Sequence, residues 1–230
     1  MHYFHVPAPL ALVLPEEESL HAVKVLRLQS GDELSLLDGK GGVYRAEITL
    51  PHPKRCGYKI LSQQHISNGR PYRLHVAIAP TKNIERLEWF VEKAVEIGVD
   101  EITPLICRYS ERKQLKADRL EKIVLSACKQ SVQAVFPVLN SLTSFDELVN
   151  NAQAECKTIA HCYAQEKADF RTISAKAADI LILIGPEGDF SLEEVQLAKA
   201  HGFVAVSLGD SRLRTETAGI MACAAALYSH

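Results

Sequence analysis

Residues 179–195 read DILILIGPEGDFSLEEV, and the change of texture inside them decides the class of fold. Ile180, Leu181, Ile182, Leu183 and Ile184 follow one another with no polar residue between them. A strand with one wet face alternates apolar and polar, so an unbroken run of branched side chains reads as a parallel strand buried on both faces. Gly185, Pro186, Glu187, Gly188 and Asp189 then form a turn. Ser191 with Glu194 three positions later has the spacing of a capping box, which opens a helix. Strand, turn and helix in that order are one unit of an α/β domain.

The same unit recurs on either side. Downstream, His201 and Gly202 end the helix, residues 204–208 form another apolar strand, and residues 218–227 a further helix. Upstream, residues 74–79 are β-prone. Ile84, Leu87, Val91, Ala94 and Val95 recur at helical spacing up to a stop at Gly98. Residues 102–106 predict a strand, Leu120, Ile123, Val124, Ala127 and Val135 mark a long helix, and Ser144 with Glu147 caps a helix over 145–154. Residues 158–163 predict one more strand. The reading is an α/β domain with a mostly parallel sheet over residues 71–230.

Residues 1–70 differ. Two short strands, 34–37 and 43–48, flank the turn-rich run Asp38, Gly39, Lys40, Gly41, Gly42, which predicts a hairpin. A third strand is predicted over 58–61. One helix interrupts them, with an acidic first turn at Glu16 to Glu18 and Gly31 as its stop. This reads as a small β-barrel with one helix. The polar stretch 62–71, SQQHISNGRP, reads as the linker between the two domains.

Bulk properties narrow the function. The chain has 230 residues, 47% hydrophobic and 23% charged, the proportions of an ordinary globular protein. A formal net charge of -2 gives no overall attraction to nucleic acid, so any such contact must come from a local basic patch. The six cysteines form no C-x-x-C pair and have no finger-like histidine spacing, so no metal site is expected. The N-terminus lacks a basic segment followed by a long apolar one, and residues 180–184 are too short to span a bilayer. A soluble, cytoplasmic protein with no membrane contact is expected.

Ligands of open α/β sheets bind outside the carboxyl ends of the strands. Three loops occupy such positions. The first starts at Ala160 and His161, and the second is the turn 185–189. There, Gly185 and Gly188 permit positive φ and close backbone approach, Pro186 stiffens the turn, and Glu187 completes it. This turn reads either as a ligand-binding loop or as a plain strand-to-helix connection. The third runs from Leu208 and Gly209 through Arg212, Leu213, Arg214, Thr215, Glu216 and Thr217. It is long, charged and wedged between an apolar strand and an alanine-rich helix, as functional loops often are. Thr215 or Thr217 would cap that helix, and Glu216 in its first turn would suit the helix dipole. The small residues of the helix, Ala218 to Ala226, suit either a tight core within the chain or a crowded knot or subunit interface.

GPEGDFSLEEV followed by SLGDSRLRTETAGIMA resembles the signature of the bacterial methyltransferases that modify uridine N3 in 16S ribosomal RNA, members of the knotted SPOUT class. Lys82, Lys93, Glu96 and Gly98 within KNIERLEWFVEKAVEIGV resemble that family's first helix, Ile102 to Leu105 its next strand, and Gln130–Ser131 its Gln-Ser pair. His21 with Val25, Leu26 and Arg27 resembles a motif of its N-terminal domain. The resemblance implies a PUA-like RNA-binding barrel over 1–70 and an α/β-knot domain, with a deep trefoil knot, over 71–230. It also implies S-adenosyl-L-methionine as cofactor, bent in the knot and held largely by backbone groups of Ala160, His161, Gly185, Pro186, Glu187, Gly188, Leu208, Gly209, Leu213, Thr215 and Thr217. A homodimer acting on 16S rRNA or the small ribosomal subunit follows from it too. Arg214, or Arg212, would stabilise negative charge on the uracil oxygens, and Glu216 would accept or orient the proton. Lys24, Arg27, Arg73, Lys82 and Arg86 would grip RNA unless they are simply solvated charges. The sequence departs from the family pattern where Val132–Gln133 replace Gly-Arg, where Tyr109 replaces an arginine, and where Asp189 replaces the second glycine of a Gly-Gly pair. A ribose 2′-hydroxyl methyltransferase of the same fold and a non-catalytic RNA-binding assembly factor are the competing readings.

Overall fold

The structure is a computed structural model describing residues 2–230. The chain divides into two compact units, one comprising Met1–Gly69 with Leu125–Phe136, the other Arg70–Val124 with Pro137–His230.

The first unit is built on a four-stranded sheet. Its strands are β1 (Tyr3–His5), β2 (Glu33–Leu37), β3 (Gly42–Leu50) and β4 (Gly57–His65), lying in that order. β1 runs parallel to β2, and the other neighbours are antiparallel. The hairpin forms as its turn chemistry predicts. Gly39 and Gly41 take φ of 77° and 101°, and Asp38 Oδ1 accepts from the amides of Lys40 (2.7 Å) and Gly42 (2.8 Å). Phe4, Leu14, Leu34, Leu36 and Ile48 fill the core, and a bridge from Val13 to Gly57 extends the sheet beyond β4. β4 runs on to His65, paired with β3, so the first part of the expected linker is strand.

The helix of this unit, α1 (Glu16–Leu20), passes into a π-helical turn at His21–Val25. It ends with Arg27 at φ 56°, four positions before the expected stop at Gly31, because the amide of Leu28 turns back to the Ala22 carbonyl. The segment Leu125–Phe136 adds to this unit. The amide of Gly41 donates to Ala134 O and that of Phe136 to Gly39 O, and Lys129 Nζ meets Glu18 Oε1 at 2.8 Å.

The second unit holds β5 (Arg73–Ile78), α2 (Ile84–Ile97), β6 (Glu101–Ile106), α3 (Ala117–Ser131, which continues into the first unit), β7 (Val138–Leu139), β8 (Thr143–Ser144), α4 (Phe145–Asn151), β9 (Cys156–Ala160), β10 (Ala168–Asp169), α5 (Phe170–Ser174), β11 (Asp179–Ile184), α6 (Leu192–Ala200), β12 (Val204–Ser207) and α7 (Thr215–Ser229). The sheet order is β10-β12-β9-β11-β5-β6-β7, with β8 on β6, and every pairing is parallel. β11 lies mid-sheet between β9 and β5, and Ile180 to Ile184 are all buried, as an unbroken apolar run requires. α2 is capped by Asn83, whose side chain accepts from the Glu85 amide, and closed by Gly98 at φ 106°. The capping box of Ser191 and Glu194 opens α6.

α7 leaves β12 near one edge of the sheet and returns across it, packing against α2, α5, β5 and β11. Its small residues permit that approach. A Cβ on Gly219 would stand 2.5 Å from the Phe90 ring and 3.0 Å from Ile78 Cδ1. The tight intrachain core is therefore realised.

Candidate functional site

Parallel strands end together, so the loops after β9 (residues 161–167), β11 (185–190) and β12 (208–214) gather at one edge of the sheet. Two cavities open there. The first, about 310 Å³, lies between the β9 and β12 loops and is lined by His161, Leu208 and Gly209. The second, about 270 Å³, lies between the β11 loop and the head of α7 and is lined by Gly185, Pro186, Glu187 and Thr215. Ala160, Cys162, Arg212, Leu213 and Ala218 line both, which makes them two lobes of one cleft. Of the residues the resemblance implies for the cofactor, Gly188 and Thr217 lie outside this lining and the other nine within it.

Hydrogen bonds lace the loops to one another. Thr215 Oγ1 donates to Gly185 O at 3.0 Å, joining the head of α7 to the β11 loop. The Cys162 amide donates to Asp189 Oδ2 at 2.8 Å, and the Tyr163 hydroxyl to Phe190 O at 2.7 Å, joining the β9 loop to the β11 loop. The amide of Lys82, beyond β5, donates to Glu187 Oε1 at 2.9 Å. Thr215 thus spends its hydroxyl across the cleft instead of on a cap. The cap position of α7 is Arg214, which makes no side-chain cap bond.

The backbone of the β11 loop differs from the expectation for its glycines. Neither Gly185 nor Gly188 has positive φ, and Asp189 does, at 68°. Gly185 and Gly188 are required for closeness instead. A Cβ on Gly185 would stand 3.1 Å from the Phe190 ring, and one on Gly188 3.0 Å from Tyr109 Cβ. Gly209, at φ 131° with open space around it, is the glycine of the site whose conformation demands glycine.

Three polar groups here lack partners. His161 is 6% exposed, and burial, followed by the charge of Lys167, holds its imidazole below the ordinary histidine range, so it is neutral at neutral pH. Gln165 accepts from Lys199 Nζ through Oε1 and so presents its amide nitrogen to His161 Nε2, 3.1 Å away. Nε2 is then the acceptor, and the proton sits on Nδ1, which is buried without a partner. Arg212 and Arg214 are exposed, and their guanidinium groups make no hydrogen bond or ion pair among the described residues. A buried donor with no acceptor and two unpaired cations at one cleft suit a polar, anionic or electron-rich ligand.

The other sequence candidates fall elsewhere. Glu216, 8% exposed, lies outside the cleft lining. Its Oε1 is 3.8 Å from Arg86 Nε on α2, and its Oε2 is buried without a partner. Arg73 begins β5 at the opposite, amino end of the sheet, where it pairs with Asp179 at 3.0 Å and with Glu101. Its guanidinium is paired yet half exposed, at the end of the sheet away from the cleft. Lys82 is exposed and paired with Glu111 at 3.0 Å. Lys24 and Arg27 are exposed on the first unit. No cluster suited to a metal ion occurs among the described residues, and no helix is long and apolar enough to cross a membrane. Sequence reasoning missed the bracing roles of Asp189 and Tyr163, whose partners are carried by other loops and leave no local pattern.

Comparison with known proteins identifies the family and the fold. The profile of the RNA methyltransferase domain matches residues 68–227, and that of the RNA methyltransferase PUA domain residues 14–57. Ribosomal RNA small subunit methyltransferase E of Rickettsia conorii is 31% identical over 219 residues, 92% of this chain and 87% of that protein. The crystal structure of a probable rRNA-methyltransferase from Porphyromonas gingivalis superposes with a TM-score of 0.89 at 41% identity, over 97% of this chain and 96% of that one. Ribosomal RNA small subunit methyltransferase E of Neisseria gonorrhoeae, bound to S-adenosyl methionine, superposes with a TM-score of 0.84 at 30% identity, over 98% and 96%. The architecture is that of the SPOUT α/β-knot class with a PUA-like N-terminal unit.

Proposed function

The chain belongs to the RNA methyltransferase family that includes ribosomal RNA small subunit methyltransferase E, and from that membership we propose that it transfers a methyl group from S-adenosylmethionine to N3 of a uridine in 16S ribosomal RNA. The observation that carries the reading is the two-lobed cleft at the carboxyl ends of β9, β11 and β12, with two unpaired arginines at its lining.

The residues present fit the cofactor. Gly185 and Gly209 leave main chain open along the cleft lining, and the orphaned Nδ1–H of His161 supplies a donor for an adenosine or carboxylate acceptor. Ala160, His161, Gly185, Pro186, Glu187, Leu208, Gly209, Leu213 and Thr215 would hold it, with Gly188 and Thr217 supporting the loops from outside. Bound there, S-adenosylmethionine supplies a methyl group activated by the sulfonium charge.

Uridine N3 is a poor nucleophile while protonated, so the protein must favour the deprotonated base. Arg214 and Arg212 are proposed to stabilise the negative charge that spreads onto the uracil oxygens, a preorganised electrostatic role. The placement favours these arginines over Glu216 for direct contact, because they line the cleft. Glu216 is proposed as the proton acceptor or orienting group beside Arg86. Wild-type turnover in Glu216→Gln would remove it from the proton path. Alignment of N3 with the methyl group supplies the rest of the acceleration.

RNA contact is proposed for Lys24 and Arg27 on the PUA-like unit and for Arg73, Lys82 and Arg86 on the second unit. A homodimer acting in the cytoplasm on 16S rRNA or the assembled small subunit completes the reading. Exposed Trp89 on α2 and Met221 on α7 give a second copy apolar surface to cover. The test is incubation of small subunits from cells lacking the enzyme with the protein and S-adenosylmethionine, followed by mass spectrometry of digested 16S RNA. N3-methyluridine is the expected product. A 2′-O-methylated nucleoside would move the acceptor to ribose.

A further inference from the structure

Asp189 holds an unusual combination of roles. It is a non-glycine residue in the left-handed region, at φ 68°, where aspartate is tolerated at some cost and glycine is not strained. Its carboxylate is fully used: Oδ2 accepts from the Cys162 amide at 2.8 Å and Oδ1 from the Phe190 amide at 2.8 Å. Asp189 also lines the second lobe of the cleft, and Cys162 lines both lobes. The backbone conformation that costs the chain energy is the one that carries this carboxylate to the β9 loop. Tyr163, bonded to Phe190 O, provides a neutral brace between the same two loops.

We propose that Asp189 is a positioning residue for the cofactor, fixing the β9 loop against the β11 loop so that Ala160, His161 and Cys162 are set before the ligand arrives. This rests on the cofactor reading given above. A glycine at this position relaxes the backbone but deletes both acceptor positions and frees the unfolded chain, so stability reports only the net of opposing terms. A positioning residue is separated from one that merely holds the fold by exchange that quickens at the β9 loop alone, together with a loss of affinity. A preset loop spares the ligand the cost of ordering it, which is the general gain of preorganisation.

The test uses the full-length protein with Asp189→Gly and Asp189→Asn. Three quantities are measured on each: the thermal midpoint, amide hydrogen exchange of residues 161–167 and of the parallel sheet without cofactor, and S-adenosylmethionine affinity by calorimetry. The expected result for Asp189→Gly is a modest fall in the midpoint, faster exchange at the Cys162 amide, and affinity weakened about tenfold, the size set by losing the one hydrogen bond that spans the two loops. Asp189→Asn tolerates the same φ and keeps one of the two acceptor positions, so it should fall between wild type and glycine. Unchanged exchange and affinity in Asp189→Gly, with wild type binding normally, would overturn the assignment. Weaker affinity with exchange quickened across the whole parallel sheet, instead of at the β9 loop alone, would also overturn it, by making the role structural. Failure of wild type itself to bind would instead strike the cofactor reading, and the exchange result would still decide whether Asp189 holds the loop.

Discussion

The two ends of the parallel sheet both carry polar residues, and they differ in how completely those residues are paired. At the amino end, Arg73 pairs with Asp179 and Glu101. His75 Nε2 lies 2.7 Å from Thr103 Oγ1, and Asn140 Nδ2 donates to the same Thr103 oxygen at 2.7 Å and to Glu101. Each of these groups has a partner in the chain. At the carboxyl end, His161 Nδ1 has none, and the exposed Arg212 and Arg214 at the cleft lining have none among the described residues. A buried polar group without a partner costs folding energy, so a chain keeps one where something else completes it. Buried carboxylate oxygens of Glu18 and Glu216 also lack partners outside the lining, so an unpartnered group marks a site only where it faces a cavity, as at His161.

The sharpest way to break the contrast is to remove an incomplete group. Arg214→Ala should lower kcat about 10²–10³-fold, the range for losing one preorganised donor to a developing charge, and leave the thermal midpoint unchanged. A lower midpoint with kcat intact would place Arg214 among the structural residues.

Next in size is a pH effect at the complete end. Burial, then the nearby Arg73 charge, depresses the His75 imidazole to about 4. Glu101 lies 3.7 Å from its Nε2, but Arg73 and Asn140 share that carboxylate, so burial prevails. A histidine with a depressed folded pKa stabilises the protein above its unfolded pKa, and that contribution is lost as pH falls toward the folded one. Wild type should therefore lose about 3 kcal/mol of unfolding free energy between pH 6.5 and pH 4 on this account, an upper figure. Denaturant titrations of His75→Gln should show a shallower slope across that window, and an equal slope would remove His75 as its cause.

Smaller again is the bond between Thr215 and Gly185. Thr215→Val keeps the shape and deletes the donor, leaving Gly185 O unpaired beside the cleft. A loss of about 1–2 kcal/mol of stability is expected, with weaker cofactor binding on calorimetry. The smallest effect belongs to Arg73→Gln. Its guanidinium is half exposed, so the pair contributes at most about 1 kcal/mol to stability, and cofactor affinity should not move. A clear loss of affinity there would mean the two ends are coupled.

Much of this was legible in the sequence, for reasons that differ by element. The unbroken run of Ile180 to Ile184 announced a central strand, and Gly98 or Ser191 with Glu194 announced helix ends, because those signals are local. β7, β8 and β10 have two residues each, and α5 has five, too few for any period to show. α3 stops at Ser131 although the apolar pattern continues to Val135, because Val132 takes φ 58° and the Gln133 amide returns to Cys128 O. That is a helix stop of the kind usually given to glycine, filled here by a β-branched residue. Val132 and Asp189, two positions where the family resemblance leads one to expect glycine, are both left-handed in the structure. The loops of the site were legible from topology and the arginines from their density. The bracing was not, since Thr215 meets Gly185, and Cys162 meets Asp189, only after the strands are side by side.

The closeness of α7 to α2 sets how freely this helix can drift in sequence. At Gly219 any side chain would meet Phe90 at 2.5 Å, so the position admits one amino acid. Ala222, Cys223 and Ala226, buried on the same helix, admit only small ones, whereas Met221 and Tyr228 face outward and admit many. A deep mutational scan would therefore score the buried stripe of α7 as intolerant as the cleft, although Gly219, Ala222, Cys223 and Ala226 do not line it. Intolerance along this helix measures elbow room, and a map of such scores would outline the contact between two helices before it outlined a binding site.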